Sequence, residues 1–186
     1  MKEGKLLPEI LTEIPGPESR RWIEDLSKTE CPAITARRSR RKEQGGVEQD
    51  PIVWESGKGA NICDVDGNIY VDLTSAFGVC GIGHSHPMVA GAAADQAQKL
   101  IHGMGDVYPG RTKIELSRKL SSLLPEGLEM SIFASSGAEA VEVAIKTAVI
   151  ATGKKIIVAF HGGYHGLSLG ALGVTGYKED FKRPFR

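Results

Sequence analysis

The chain has 186 residues, enough for one domain with a real core or for part of a larger two-domain architecture. Its 23 basic residues balance 23 acidic ones, so the overall field selects neither nucleic acid nor an anionic membrane as a partner. Three cysteines (Cys31, Cys63, Cys80) without a CxxC pair or export signal imply a reducing, cytoplasmic setting, and no apolar run reaches the roughly 18 residues of a membrane span.

Residues 1–50 read as a polar arm, with a helix at "PESRRWIEDLSK" that Pro17 would open. Its basic run "ARRSRRKEQGG", from Ala36 to Gly46, has the charge to grip phosphates. A solvated arm or subunit contact is favoured, because no aromatic residues interleave the arginines. Residues 51–87 form a β-rich segment expected to belong to a small domain. In "ANICDVDGNIYVDLTSAFG" two β-prone runs flank Asp66-Gly67, the composition of a hairpin turn.

Residues 88–186 read as the start of a larger domain. Pro87 opens a helix carrying Val89, Ala92, Ala93, Gln96 and Leu100 along one side. A second helix is predicted from Thr112, where "TKIE" sets Glu115 three residues on as a capping box. "MSIFA", Met130 to Ala134, reads as a buried strand. After Ser136, Ala140, Val141, Ala144, Ile145, Ala148 and Val149 recur at the helical period, and Gly153 ends the helix. "IIVAF", Ile156 to Phe160, has the continuous apolar character of a strand covered on both faces, so strand, helix and strand predict a right-handed crossover in a mainly parallel sheet.

Two loops follow the predicted strands at the end where open α/β sheets bind ligands. Ser135 to Ala138 feeds a helix N-terminus, whose unpaired N–H groups suit an anion, with Gly137 allowing close approach. An ordinary N-cap by Ser135 or Ser136 explains the same residues, and the pattern is neither a P-loop nor GxGxxG. In His161 to Gly166, Tyr164 lies among glycines and offers a ring face to a flat ligand. His161 and His165 are four apart, but Gly162 and Gly163 disfavour the helix that would align them on zinc, and His84 and His86 lack a third ligand, so no metal is expected. An anion cradle beside an aromatic platform suits a planar ring with a phosphate arm, such as pyridoxal phosphate.

The segments "SSGAEAVEVAIKTA", "FHGGYHG", "DVDGNIYVDLTSAFGVCGIGHSHP" and "HGMGDVYP" resemble the class-III pyridoxal-phosphate aminotransferases, the family of the 4-aminobutyrate, acetylornithine and ornithine enzymes. The resemblance runs from about Pro51 to the end of the chain. It implies an α/β fold, the N-terminal part of a fold-type I transferase. The implied activity moves an amino group from an amino acid or ω-amino acid to a 2-oxo acid, in a homodimer. By resemblance, Ser136, Gly137 and Ala138 bind the cofactor phosphate, Tyr164 stacks on the pyridine ring, His165 neighbours it and Phe77 faces the substrate. Glu139 is assigned a structural role.

The family's Schiff-base lysine and the acid that protonates the pyridine nitrogen come well after the HGGYHG-type loop, and neither Lys146 nor Lys178 matches that lysine. The chain is therefore expected to be an N-terminal fragment without catalytic residues of its own. Racemases, aminomutases and decarboxylases share these motifs, and a non-catalytic dimerisation or interaction module is the reading from a different class.

Overall fold

The computed structural model describes residues 4, 6–36 and 51–185. The basic run from Arg37 to Gly46 lies outside them. The chain divides into two compact units, Met1–Ile101 and His102–Arg186.

The first unit is built on an antiparallel sheet of β1 (Trp54–Lys58), β2 (Asn61–Asp64) and β3 (Ile69–Val71), in that order. The predicted hairpin joins β2 to β3, pairing Asn61 with Val71 and Cys63 with Ile69, and Gly67 takes the positive φ of +85° that the turn requires. Asp64 fixes this turn. Its buried carboxylate accepts the N–H groups of Asp66 and Asn68 at 3.0 and 2.8 Å, the Asn68 side-chain amide at 2.9 Å and the Tyr70 hydroxyl at 2.7 Å. Burial, then that bond to Asp64, pushes the Tyr70 phenol well above its ordinary pKa.

The arm before this sheet is docked on it. Glu9 and Ile69 exchange backbone hydrogen bonds of 2.9 and 2.7 Å along β3. Buried Asn61 accepts the Leu6 N–H at 2.8 Å, and buried Asn68 accepts those of Leu11 and Thr12 at 2.7 and 3.0 Å. Helix α1 (Pro17–Thr29) opens at Pro17 as predicted. Its N-cap residue, Gly16, has no side chain; instead Asp66 accepts the N–H groups of Glu18 and Ser19 at 2.8 and 2.9 Å. A Cβ at Gly16 would collide with that carboxylate. Burial raises the pKa of Asp66, but its bonds from Ser19 and Glu18 outweigh this and hold it below the usual range. Helix α2 (Pro87–Lys99) starts at Pro87.

The second unit contains α3 (Arg111–Ser121), α4 (Gly137–Thr152) and α5 (Leu169–Val174). Helix α3 begins one residue before the predicted Thr112, with Gly110 at its N-cap, so Thr112 falls inside the first turn and cannot cap it. Glu115 pairs with Arg111 at 3.0 Å instead of completing a capping box. Helix α4 runs as predicted from Ser136 to a left-handed Gly153 at φ +69°. The two runs expected as parallel strands, Met130–Ala134 and Ile156–Phe160, join no β-ladder among the described residues. A strand needs a hydrogen-bonded neighbour, and neither run has one in this unit; Ile156 and Val158 are exposed. Among the described residues, no helix is long and apolar enough to cross a membrane.

Candidate functional site

The first turn of α4 is capped locally. The Ser136 hydroxyl accepts the Glu139 N–H at 3.2 Å, and the Glu139 carboxylate accepts the Ser135 N–H at 2.7 Å. This is the reciprocal arrangement expected at Thr112, shifted by one residue at its return bond. It gives Glu139 the structural role anticipated for it. The cap leaves the N–H groups of Gly137 and Ala138 without intrahelical acceptors, and a Cβ at Gly137 would meet nothing within 4 Å. The helix mouth is therefore unobstructed at Gly137.

The loop His161–Gly166 packs against this mouth. A Cβ built on Gly166 would lie 2.6 Å from the Ala138 Cβ, and Gly166 also has a positive φ of +121°, so two independent constraints demand glycine. Gly162 donates to the Gly176 carbonyl at 3.0 Å, and Gly176 returns a bond to Gly163 at 2.7 Å. Thr175, wholly buried, accepts the His165 N–H at 3.1 Å, and its hydroxyl lies 3.0 Å from the Gly166 carbonyl and 2.9 Å from that of Ala171. The His165 ring folds back over Gly163. Tyr164 is exposed and meets Tyr177 edge-on at 6.2 Å, leaving a ring face available. The structure thus brings the turn carrying Gly137 and Ala138 and the loop carrying Tyr164 and His165 to one place within this unit.

Two residues the sequence reading passed over hold this arrangement. Thr175 is one. The other is Glu142, whose Oε1 accepts the Ser168 hydroxyl at 2.7 Å and the N–H groups of Gly170 and Ala171 at 2.7 and 3.2 Å. The Ser168 bond, then that from Ala171, holds the Glu142 carboxyl below its usual pKa against the opposing effect of burial. The signal was present in "SSGAEAVEVAIKTA": Glu142 follows Ala138 by four residues and precedes Ile145 by three, a charge on the apolar face. Lys146 is exposed, and Lys178 sits over the Tyr177 ring at 5.4 Å.

Phe77 lies in the first unit, in the turn Ser75–Gly78, where Ser75, Ala76 and Phe77 all have positive φ, at 48°, 49° and 60°. Asp72 supports that turn by accepting the N–H groups of Thr74 and Ala76 at 2.9 and 2.8 Å and the Thr74 hydroxyl at 2.8 Å. His84 Nε2 lies 2.7 Å from Asp72 Oδ2. An ionised carboxylate only accepts, so this nitrogen carries the proton. The bond from His84, then that from the Thr74 hydroxyl, brings Asp72 down to about 2 against the effect of burial. A cavity of about 210 Å³ opens beside Asp72, His84, Ser75 and Cys80. In the second unit an opening of about 810 Å³ is lined by Ile114, Met130 and Ile132 and includes none of the predicted cofactor residues.

Comparison with known proteins gives these features a family. The model of the class-III aminotransferases matches residues 44–186. An acetylornithine aminotransferase of Methanothermobacter thermautotrophicus is 43% identical over 138 residues, 74% of this chain and 34% of that protein. An alanine/serine racemase of Pyrococcus horikoshii is 32% identical over 178 residues, 96% of this chain and 35% of the racemase. The crystal structure of an adenosylmethionine-8-amino-7-oxononanoate aminotransferase from Methanocaldococcus jannaschii superposes with a TM-score of 0.66 at 33% identity, covering 74% of this chain and 33% of that one. The chain spans about a third of the length of the curated relatives it matches, and its fold is that of the N-terminal part of the fold-type I transferases. The family match over residues 44–186, more than half of the chain, means that this chain belongs to the class-III aminotransferases.

Proposed function

We propose that the whole protein is a pyridoxal-phosphate-dependent transaminase, a cytoplasmic homodimer that moves an amino group from an amino acid or ω-amino acid to a 2-oxo acid. The observation that supports this reading is the close approach of Gly166 to Ala138, which sets a helix N-terminus suited to an anion beside the loop that carries Tyr164. The residues fit the cofactor: the Gly137 and Ala138 amides with the Ser136 hydroxyl would hold the phosphate, and Tyr164 would lie against the pyridine ring with His165 beside it. Bound there, pyridoxal phosphate supplies the electron sink that amino-group transfer needs. The chain's own residues bind and orient. The α4 dipole would offset the phosphate charge, and Tyr164 would cover one face of the ring. By resemblance to the family alone, Phe77 would face the substrate.

The test is to titrate the full-length protein with pyridoxal phosphate, following the visible absorbance, and then to supply an amino donor with and without a 2-oxo acid. Saturable binding and product formed only with the acceptor are expected; absence of cofactor binding overturns the reading. A second reading, racemisation, is favoured by the racemase relative, whose similarity reaches 96% of the chain and so includes the arm. Inversion of a chiral amino acid without any 2-oxo acid would select it.

A further inference from the structure

Glu142 occupies the face of α4 that also carries Ala138, Val141, Ile145 and Val149, all partly buried. A carboxylate on such a face is costly unless donors meet it. Here Ser168, Gly170 and Ala171 supply three, all to Oε1, and the fit is close enough that a Cβ at Gly170 would overlap the carboxylate. Those donors start α5. From there the connection continues through buried Thr175 to the His165 N–H and the Gly166 carbonyl. Gly166 in turn abuts Ala138, one turn before Glu142 on the same helix. The contacts therefore close a ring: α4 to α5, α5 to the loop, and the loop back to α4.

We propose that Glu142 is a positioning residue for the cofactor: by anchoring the start of α5, it fixes the loop of Tyr164 and His165 against the Gly137 and Ala138 amides so that both act on one ligand. This rests on the pyridoxal phosphate reading above. Glu142 is not one of the residues assigned to the ring or the phosphate; its own partners are Ser168, Gly170 and Ala171, and it acts through Thr175 and Gly166. Without it, the mouth of α4 keeps its own cap, Ser136 with Glu139, so the anion site persists while the aromatic side loses its register.

The experiment compares wild type, Glu142→Ala and Glu142→Gln in the full-length protein. Glutamine keeps an acceptor oxygen at the same reach, whereas alanine removes it. Loss of hydrogen bonds to an ionised acceptor predicts a dissociation constant for pyridoxal phosphate raised about tenfold or more in E142A and within about threefold of wild type in E142Q. A second readout needs no cofactor: in the apoprotein, hydrogen exchange of the Gly170, Ala171 and His165 amides accelerates in E142A while the amides of α3 keep their protection. If E142A does not fold, E142D, which withdraws the carboxylate by one methylene, gives the same two quantities. Wild-type cofactor affinity in E142A, or an unchanged His165 amide, overturns the proposal. A wild-type protein that binds no cofactor defeats the transaminase reading instead, and the exchange data then decide the Glu142 link separately.

Discussion

Phe77 is 99% exposed at a turn in which it and its two predecessors are left-handed. Each such residue without a glycine's freedom costs about 1–2 kcal/mol, so the turn needs support, and Asp72 supplies it. Because Asp72 is brought down to about 2 in the fold, against roughly 3.9 for an unfolded aspartate, its stabilisation is complete above that unfolded value and disappears as pH falls toward about 2. Thermal unfolding measured across this window should therefore lose stability more steeply in wild type than in Asp72→Asn; parallel curves would remove Asp72 from the account. Gly166→Ala introduces a side chain at φ +121° and 2.6 Å from Ala138. It should cost about 1–3 kcal/mol in denaturant unfolding of the full-length protein and weaken cofactor binding with it. The Ser136 cap and the glycine-rich loop that carries Tyr164 and His165 were legible because glycine placement and helix starts are local patterns. Glu142, Thr175 and Asp72 were not read, since their roles depend on partners 26, 10 and 12 residues away.

Helices were read well where their starts are written in adjacent residues, as at Pro17, Pro87 and Ser136. The cap of α1 escaped because its acceptor, Asp66, is separated from the helix by 47 and 48 residues. Asp66→Ala should accordingly destabilise the protein by about 1 kcal/mol, with Asp66→Asn losing less, as urea midpoints would register. At α3 the capping-box pattern "TKIE" was present, yet Gly110 took the N-cap and Glu115 turned to Arg111. A four-residue motif specifies a cap only if the chain enters the helix at its first residue. The hairpin was legible because Asp66-Gly67 fixes the bend. The runs Met130–Ala134 and Ile156–Phe160 have strand composition, but composition provides no neighbour to pair with.

At the scale of the molecule, several of the apolar side chains the sequence assigns to a core are uncovered: Met130 is 96% exposed, Ile156 88% and Phe160 84%. Among the described residues, the buried hydrophobic and polar side chains are instead largely polar, with Ser19, Asn61, Asp64, Asn68 and Thr175 beside Ile62, Ala171 and Leu172. Patches of this kind call for a covering surface. The 186-residue chain expressed alone should bind the dye ANS and associate as its concentration rises in light scattering; a dye-silent monomer would refute this. The Asp66 carboxylate carries a further implication. It sits at the bend of the hairpin yet receives the leading amides of α1, so the terminal helix cannot detach while the bend is intact without stranding its own first turn. Opening of the two should be a single event, and their slowest-exchanging amides should report one common free energy.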